Sequence, residues 1–226
     1  MSFGTGGKRN SNLKAFSFKV KVKGGDGKYL DAPVFEVSRR EGEKFVSNTE
    51  APTATRVSGA LISIGHKEYE WKGPTGKRII QSVNLALMDK DEIYFVTIPY
   101  SYTGFGILNS LLNLKTFENV DISLYQTKAR VEGGKSYAAG SVWQNDQKVE
   151  WKFKKEELPP VTKVKFQGKD LSDLTAVVAF FAAQIKELGK VVKNQTPVVP
   201  NHDAAPTPPA EDAAGEVENE KDPIPF

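Results

Sequence analysis

The chain has 226 residues, a formal net charge of +3 and no cysteine, so disulfide scaffolds and thiolate metal sites are excluded. No apolar run approaches the length of a membrane span, so no membrane partner is expected. Residues 1–13 are polar and glycine-rich; they read as a flexible arm and not a signal peptide, with the cytoplasm as the default compartment (the host cytoplasm if phage-encoded).

In chain order, Phe16, Phe18, Val20 and Val22 alternate with Ser17, Lys19, Lys21 and Lys23. Period two predicts a strand with one buried and one basic face. Two readings of the lysines stay open: phosphate contacts, or charges that keep an edge strand from pairing. The glycines of 24–27 predict a turn, without the following helix that a phosphate loop requires. Residues 29–37 read as a second strand, and 38–54, which lacks periodicity, as a long loop. From 55 to 99 strand follows strand. Residues 56–66 are β-branched and small; beyond them Lys67, Tyr69 and Trp71 share one face, and Glu68, Glu70 and Lys72 the other. Gly73 to Gly76 turn the chain into 77–88, with Ile79, Val83, Leu85 and Leu87 on one face. Asp89, Lys90 and Asp91 turn it again into 93–98, whose apolar continuity predicts burial on both sides.

Residues 102–114 place Phe105, Leu108, Leu111 and Leu112 at helical spacing, despite Gly104 and Gly106. Strands resume at 120–131 and, after Gly133 and Gly134, at 136–143. A further arm carries Val149, Trp151 and Phe153 on one face and Lys148, Glu150, Lys152 and Lys154 on the other. Asp170 is placed to cap a final helix, 171–192, with Leu174, Val177, Val178, Phe181, Ile185 and Leu188 in one stripe. That helix packs on the domain or on a second subunit, which leaves a homo-oligomer open. Strands, a short helix and more strands, joined by local hairpins, predict a mainly β fold. An OB-fold-like antiparallel barrel with a short internal helix and a C-terminal helix has this layout, as do several other barrels and sandwiches. The expected divisions are an arm (1–13), the barrel (14–168), the helix (169–193) and a disordered tail (194–226).

The tail changes the charge balance. From Asn194 onward seven acids face one base, Lys221, a formal −6; the body through Lys193 has thirty bases and twenty-one acids, a formal +9. A basic body implies a polyanionic partner. The five prolines of 194–210 make a semi-extended spacer. The last fifteen residues, DAAGEVENEKDPIPF, cannot bury enough apolar surface to order themselves, yet they end on an apolar tip of Ile224, Pro225 and Phe226. Such a tip suits a shallow apolar pocket ringed by Lys or Arg. This tail resembles that of bacterial single-stranded-DNA-binding proteins: a globular domain, a proline-rich linker, acids, then a terminal Ile-Pro-Phe. Phage replication proteins of this class are similar more loosely, with an acidic tail closing on an aromatic. The resemblance implies a tail that recruits replication or recombination proteins, through Asp222, Ile224, Pro225 and Phe226.

Catalysis has little to stand on. His66 and His202 are the two histidines; His66 reads as a strand-surface or satisfied core group, and His202 lies in the linker. Asp89, Asp91 and Glu92 read as solvated turn residues. No catalytic residue, no metal and no cofactor is expected. Binding has more support, because rings interleave with bases in two hairpins. Cations track phosphates while exposed rings stack on bases, the mixture that single-stranded nucleic acid requires. The residues expected to contact DNA are Tyr69, Trp71, Lys72, Lys77 and Arg78 in the first hairpin and Lys128, Arg130, Lys135 and Tyr137 in the second. Most of Phe16, Phe18, Phe95, Phe117, Trp151 and Phe153 are expected in the core. The reading is a non-enzymatic protein that coats single-stranded DNA in replication or recombination. The alternative is an adaptor that uses its β-domain on protein alone, with a nuclease as a distant third.

Overall fold

A computed structural model describes residues 14–23, 28–73, 76–90, 92–127, 136–166 and 169–195. The opening arm, residues 24–27 and Gly133-Gly134 where turns were expected, Asp91 and residues from 196 onward lie outside the described residues.

The alternation at the start of the chain builds β1 (Lys14–Lys23), with Phe18 buried and Phe16 and Val20 packed against the core. β2 (Tyr29–Glu41) returns antiparallel to it and sends Phe35 and Val37 into the same core. β2 runs past its expected end. Gly42, at φ 60°, turns the chain into β3 (Lys44–Ser47), and β4 (Thr53–Ala54) pairs with β2 a little later. Much of the expected loop 38–54 is therefore paired. Phe45 anchors it edge-on against Phe95, with ring centroids 6.1 Å apart.

A meander follows: β5 (Arg56–Gly73), β6 (Gly76–Asp89) and β7 (Glu92–Pro99), antiparallel in turn. Ser101 caps α1 (Tyr102–Leu111), its hydroxyl accepting from the Gly104 N–H at 3.2 Å. Helix propensity counts against Gly104, but a Cβ there would collide with the Pro99 carbonyl oxygen. β8 (Val120–Gln126) pairs with the first residues of β5, and β9 (Ala138–Gln144) pairs with β8. A turn through Asn145 and Asp146, at φ 50° and 62°, leads to the two-residue β10 (Gln147–Lys148).

The expected arm through Val149, Trp151 and Phe153 is not a strand. Its backbone is served by side chains of α1 and the turn after it. Asn109 donates to the Phe153 carbonyl at 2.8 Å and accepts its N–H at 3.0 Å, while Asn113 donates to the Glu150 carbonyl. With those groups satisfied, no ladder is needed. Phe153 packs against the core, but Trp151 is exposed, contrary to its expected place.

β11 (Thr162–Phe166) and β12 (Lys169–Asp173) form a separate two-stranded sheet. Asp170 therefore lies in a strand and caps nothing. Asp173 takes that place, accepting the Thr175 N–H at 2.9 Å at the start of α2 (Thr175–Gln195). Hydrogen bonds from the Thr175 side chain and backbone hold the Asp173 carboxyl below its ordinary value. The helix begins at Thr175 and not at 171, because 171–173 belong to β12. Of its expected stripe Val177, Phe181 and Ile185 are buried, and Leu174, Val178 and Leu188 pack partly buried against the core; Val192 is buried as well. The helix packs on β5 and α1 of its own chain. Gly189 permits the approach, since a Cβ there would sit 2.6 Å from the Ile64 carbonyl oxygen.

The fold is mainly β, with two helices. Ten strands form one sheet in the order β10-β9-β8-β5-β6-β7-β1-β2-β3, with β4 also on β2. Two features depart from a barrel of local hairpins. β1 lies parallel to β7, Phe16 opposite Tyr94 and Phe18 opposite Val96. The sheet also curls until β2 comes beside β8, yet no ladder joins those strands among the described residues. Among the described residues, no helix is long and apolar enough to cross a membrane.

Candidate nucleic-acid interface

Strand alternation sorts the candidate residues before any contact is considered. In the β5–β6 ladder, Ile64 opposite Leu85 and His66 opposite Val83 mark the inward face. Continued outward along the hairpin, that face bears Glu68 opposite Gln81, Glu70 opposite Ile79 and Lys72 opposite Lys77. The hairpin has outrun the core, so Ile79, expected with Val83 and Leu85 on an apolar face, is 64 % exposed. The other face pairs Lys67 with Ser82, Tyr69 with Ile80 and Trp71 with Arg78.

Tyr69, Trp71 and Arg78 thus come together. The Arg78 guanidinium lies over the Trp71 ring, 4.2 Å from its centroid, and Tyr69 is exposed beside them. A cation stacked on an indole holds both groups in place while leaving the charge able to meet a phosphate. Lys72 and Lys77 are exposed on the reverse face, opposite one another, and Lys77 pairs with Glu70 at 3.0 Å. Like charges directly opposite each other are unfavourable, and the Glu70 carboxylate beside Lys77 offsets the opposition within the hairpin itself. Tyr137 stands at the base of the other hairpin, β8–β9, where its N–H donates to the Thr127 hydroxyl and its carbonyl accepts the Thr127 N–H. Lys128, Arg130 and Lys135 lie outside the described residues, as do Asp222, Ile224, Pro225 and Phe226.

The face that bears Trp71 continues across neighbouring strands. Register carries it from Ala86 to Phe95 in β7, from Phe95 to Ser17 and from Thr97 to Lys19 in β1, and from Arg40 to Phe45 at the β2–β3 edge. Phe45 and Phe95 meet on this face, half-buried, with Arg40 opposite Phe45 in the ladder and Lys19 on the strand beside Phe95. Burial lowers the Lys67 ammonium from its ordinary value. Sequence reasoning missed Phe45, which sits in a four-residue edge strand too short to show a period, and placed Phe95 in the core. Of the β1 lysines, Lys21 pairs with Glu36 across the ladder at 3.2 Å.

His66 is a satisfied structural group: its Nδ1 and the Tyr100 hydroxyl are 2.9 Å apart. Burial pushes the Tyr100 phenol up to about 12. Glu92 accepts from the Tyr94 hydroxyl at 2.6 Å and faces Lys14 at 3.8 Å.

A second outward surface was not expected. Where β5 begins, β8 and β9 lie beside it, and their outward residues enclose a recess of about 540 Å³. Tyr125 and Trp143 stand at its ends, both exposed, and the opposed pair Ser123 and Ser141 forms its floor. Strand parity alone puts Tyr125 and Trp143 outward, the signal that would have found them.

No protein-family model, no curated protein and no solved structure matches this chain.

Proposed function

We propose that the chain is a non-enzymatic, largely sequence-independent single-stranded-DNA-binding protein of replication or recombination. One observation carries this reading: the sheet face on which Tyr69, Trp71 stacked by Arg78, and the Phe45–Phe95 pair lie among lysines and arginines. Rings there offer stacking surface to any base, and the cations serve the backbone, so selectivity for sequence is low and for single strands high. A +9 body concentrates a polyanion near that face.

Support for an OB-like barrel comes from connectivity. The meander β5-β6-β7, the helix after its third strand and the return of β8-β9 onto β5 follow the order of that fold, with β1 parallel on β7 along the edge where a closing strand would lie. In such barrels the face of the second and third strands and the loops after the first and fourth bind oligonucleotides. Here these are β6, β7, the β5–β6 tip and the β8–β9 connection, the two hairpins whose residues were expected to contact DNA.

Titration against poly-dT and duplex DNA tests the reading. Poly-dT binds tightly, duplex weakly, and the affinity for poly-dT falls as salt rises because phosphate contacts release counterions. Equal affinity for both, or none for either, refutes it.

The tail is proposed as the recruiting element. Deleting Phe226 alone removes the ring, so capture of replication proteins drops while affinity for poly-dT changes less than about two-fold, since no base or phosphate contact is lost. Unchanged capture would refute the role of the tip.

A further inference from the structure

The recess between the start of β5 and strands β8 and β9 is built from parts held in place. Asp121 is 5 % exposed and fixes what surrounds it. Its Oδ2 accepts from Arg56 Nε and from the Ser58 hydroxyl at 3.1 Å, and its Oδ1 accepts from the Ser123 hydroxyl at 3.0 Å. The Trp143 indole N–H donates to the Ser141 hydroxyl at 2.9 Å, which sets the angle of that ring. These bonds satisfy the nearly buried carboxylate and also hold Arg56 and Trp143 in place, so a ligand entering the recess would not have to meet the cost of ordering them.

The parts define the ligand. Ser123 lies opposite Ser141, while Tyr125 lies opposite Ala139 and Trp143 opposite Asp121. The two rings are four residues apart in register, about 13 Å along the strands. Between them the small hydroxyls leave depth, and the volume lies within the range of about 300–1,000 Å³ typical of small-ligand pockets. Formal charges cancel: Arg56 against Asp121, and Lys148 against Asp146 at the rim. The occupant is therefore planar and uncharged, with polar edges for the hydroxyls. A protein partner would call for an apolar floor at the centre of its contact, and serines do not supply one.

We infer that this recess takes one unstacked nucleobase of the bound strand, separate from the Trp71 face; the inference rests on the single-strand reading above. The strand then crosses from the outer face of β6 and β7 to the start of β5, and the base in the recess adds stacking without adding a phosphate contact.

Full-length protein and a series of dT oligomers of increasing length test it. Trp143→Ala weakens the oligomers long enough to reach both surfaces by about five- to 150-fold, the range for one stacked base. The slope of log affinity against log salt stays unchanged, because the number of phosphate contacts is the same. Trp143→Phe restores most of the loss and Trp143→Leu does not, which separates a stacking ring from apolar bulk. Part of the DNA-induced quenching of tryptophan emission also disappears in Trp143→Phe. Thymidine alone, at the same base concentration, leaves emission unchanged; saturable quenching by thymidine would make this a free-nucleoside site and overturn the assignment to the strand. Long oligomers bound equally well by all three variants would overturn the inference while leaving the Trp71 face standing. Failure of the unaltered protein to bind any oligomer would instead strike the underlying reading. Dissociation of a dimer by Trp143→Ala, without DNA-induced change in quenching, would assign the recess to a second copy of the chain and overturn it too.

Discussion

Replacing Tyr69 and Trp71 together by alanine is expected to weaken binding to poly-dT by about thirty-fold or more. Each stacked base contributes about 1–3 kcal/mol, so two rings account for about 2–6 kcal/mol. Trp71 has a further part, since Arg78 lies over its ring at 4.2 Å and loses its platform when the indole goes. The hairpin end bearing these residues extends past the core, with Tyr69, Lys72, Lys77, Arg78 and Ile79 all exposed. Cooperative thermal unfolding should therefore persist in the double variant. Retained folding with unchanged affinity would remove this face from the binding surface. Loss of cooperative unfolding would instead place Trp71 in the core.

The largest effect on stability is expected at Phe181. Its ring is fully buried and stacks on Phe105, with centroids 5.3 Å apart and planes 15° from parallel, while Phe180 meets it edge-on. Phe181→Ala deletes that ring from the junction of α1, α2 and the sheet, at a cost of about 3–5 kcal/mol for a buried phenylalanine. A domain of ordinary stability has about 5–15 kcal/mol in all, so the midpoint of denaturant unfolding should fall sharply. Deleting the whole of α2 should expose Phe105 and the β5 surface near Ile64 and prevent folding. A truncated chain ending before Thr175 that unfolds at the same midpoint would show that α2 is an appendage, in conflict with the close packing at Gly189.

The parts of this fold that sequence foresaw are those with a local period. The alternation of Phe16, Phe18 and Val20, the meander of β5, β6 and β7, the short helix after Ser101 and the stripe of α2 all repeat at fixed spacing. What escaped had no period or a deceptive one. β3 is four residues long, below the length at which alternation can be told from chance. Val149, Trp151 and Phe153 alternate like a strand, but Asn109 and Asn113 take the hydrogen bonds that a strand would make. Asp170 is the capping signal in sequence, but the pairing of β11 with β12 holds it in a strand and moves the helix start past Asp173. The parallel ladder of β1 on β7 joins segments far apart, which hairpin logic does not reach. The site divides in the same way. Tyr69, Trp71 and Arg78 follow from one hairpin register, and so does the consignment of Lys72 and Lys77 to the reverse face. Phe45 and Phe95 meet through tertiary packing alone, which leaves no mark in sequence.

That parallel ladder bears on how the chain is made. β1 and its antiparallel partner β2 are neighbours in sequence and are both made early, but the other edge of β1 is closed only by β7, which begins at Glu92. At about 5–20 residues per second, translation leaves that edge open for seconds. An uncovered strand is a template for pairing with neighbouring nascent chains, and charge along it is the common defence. Lys19, Lys21 and Lys23 are in place throughout this wait. In the finished sheet β1 is paired on both sides, by β2 and β7, so charge that guards its edge has that use only while the chain is being made.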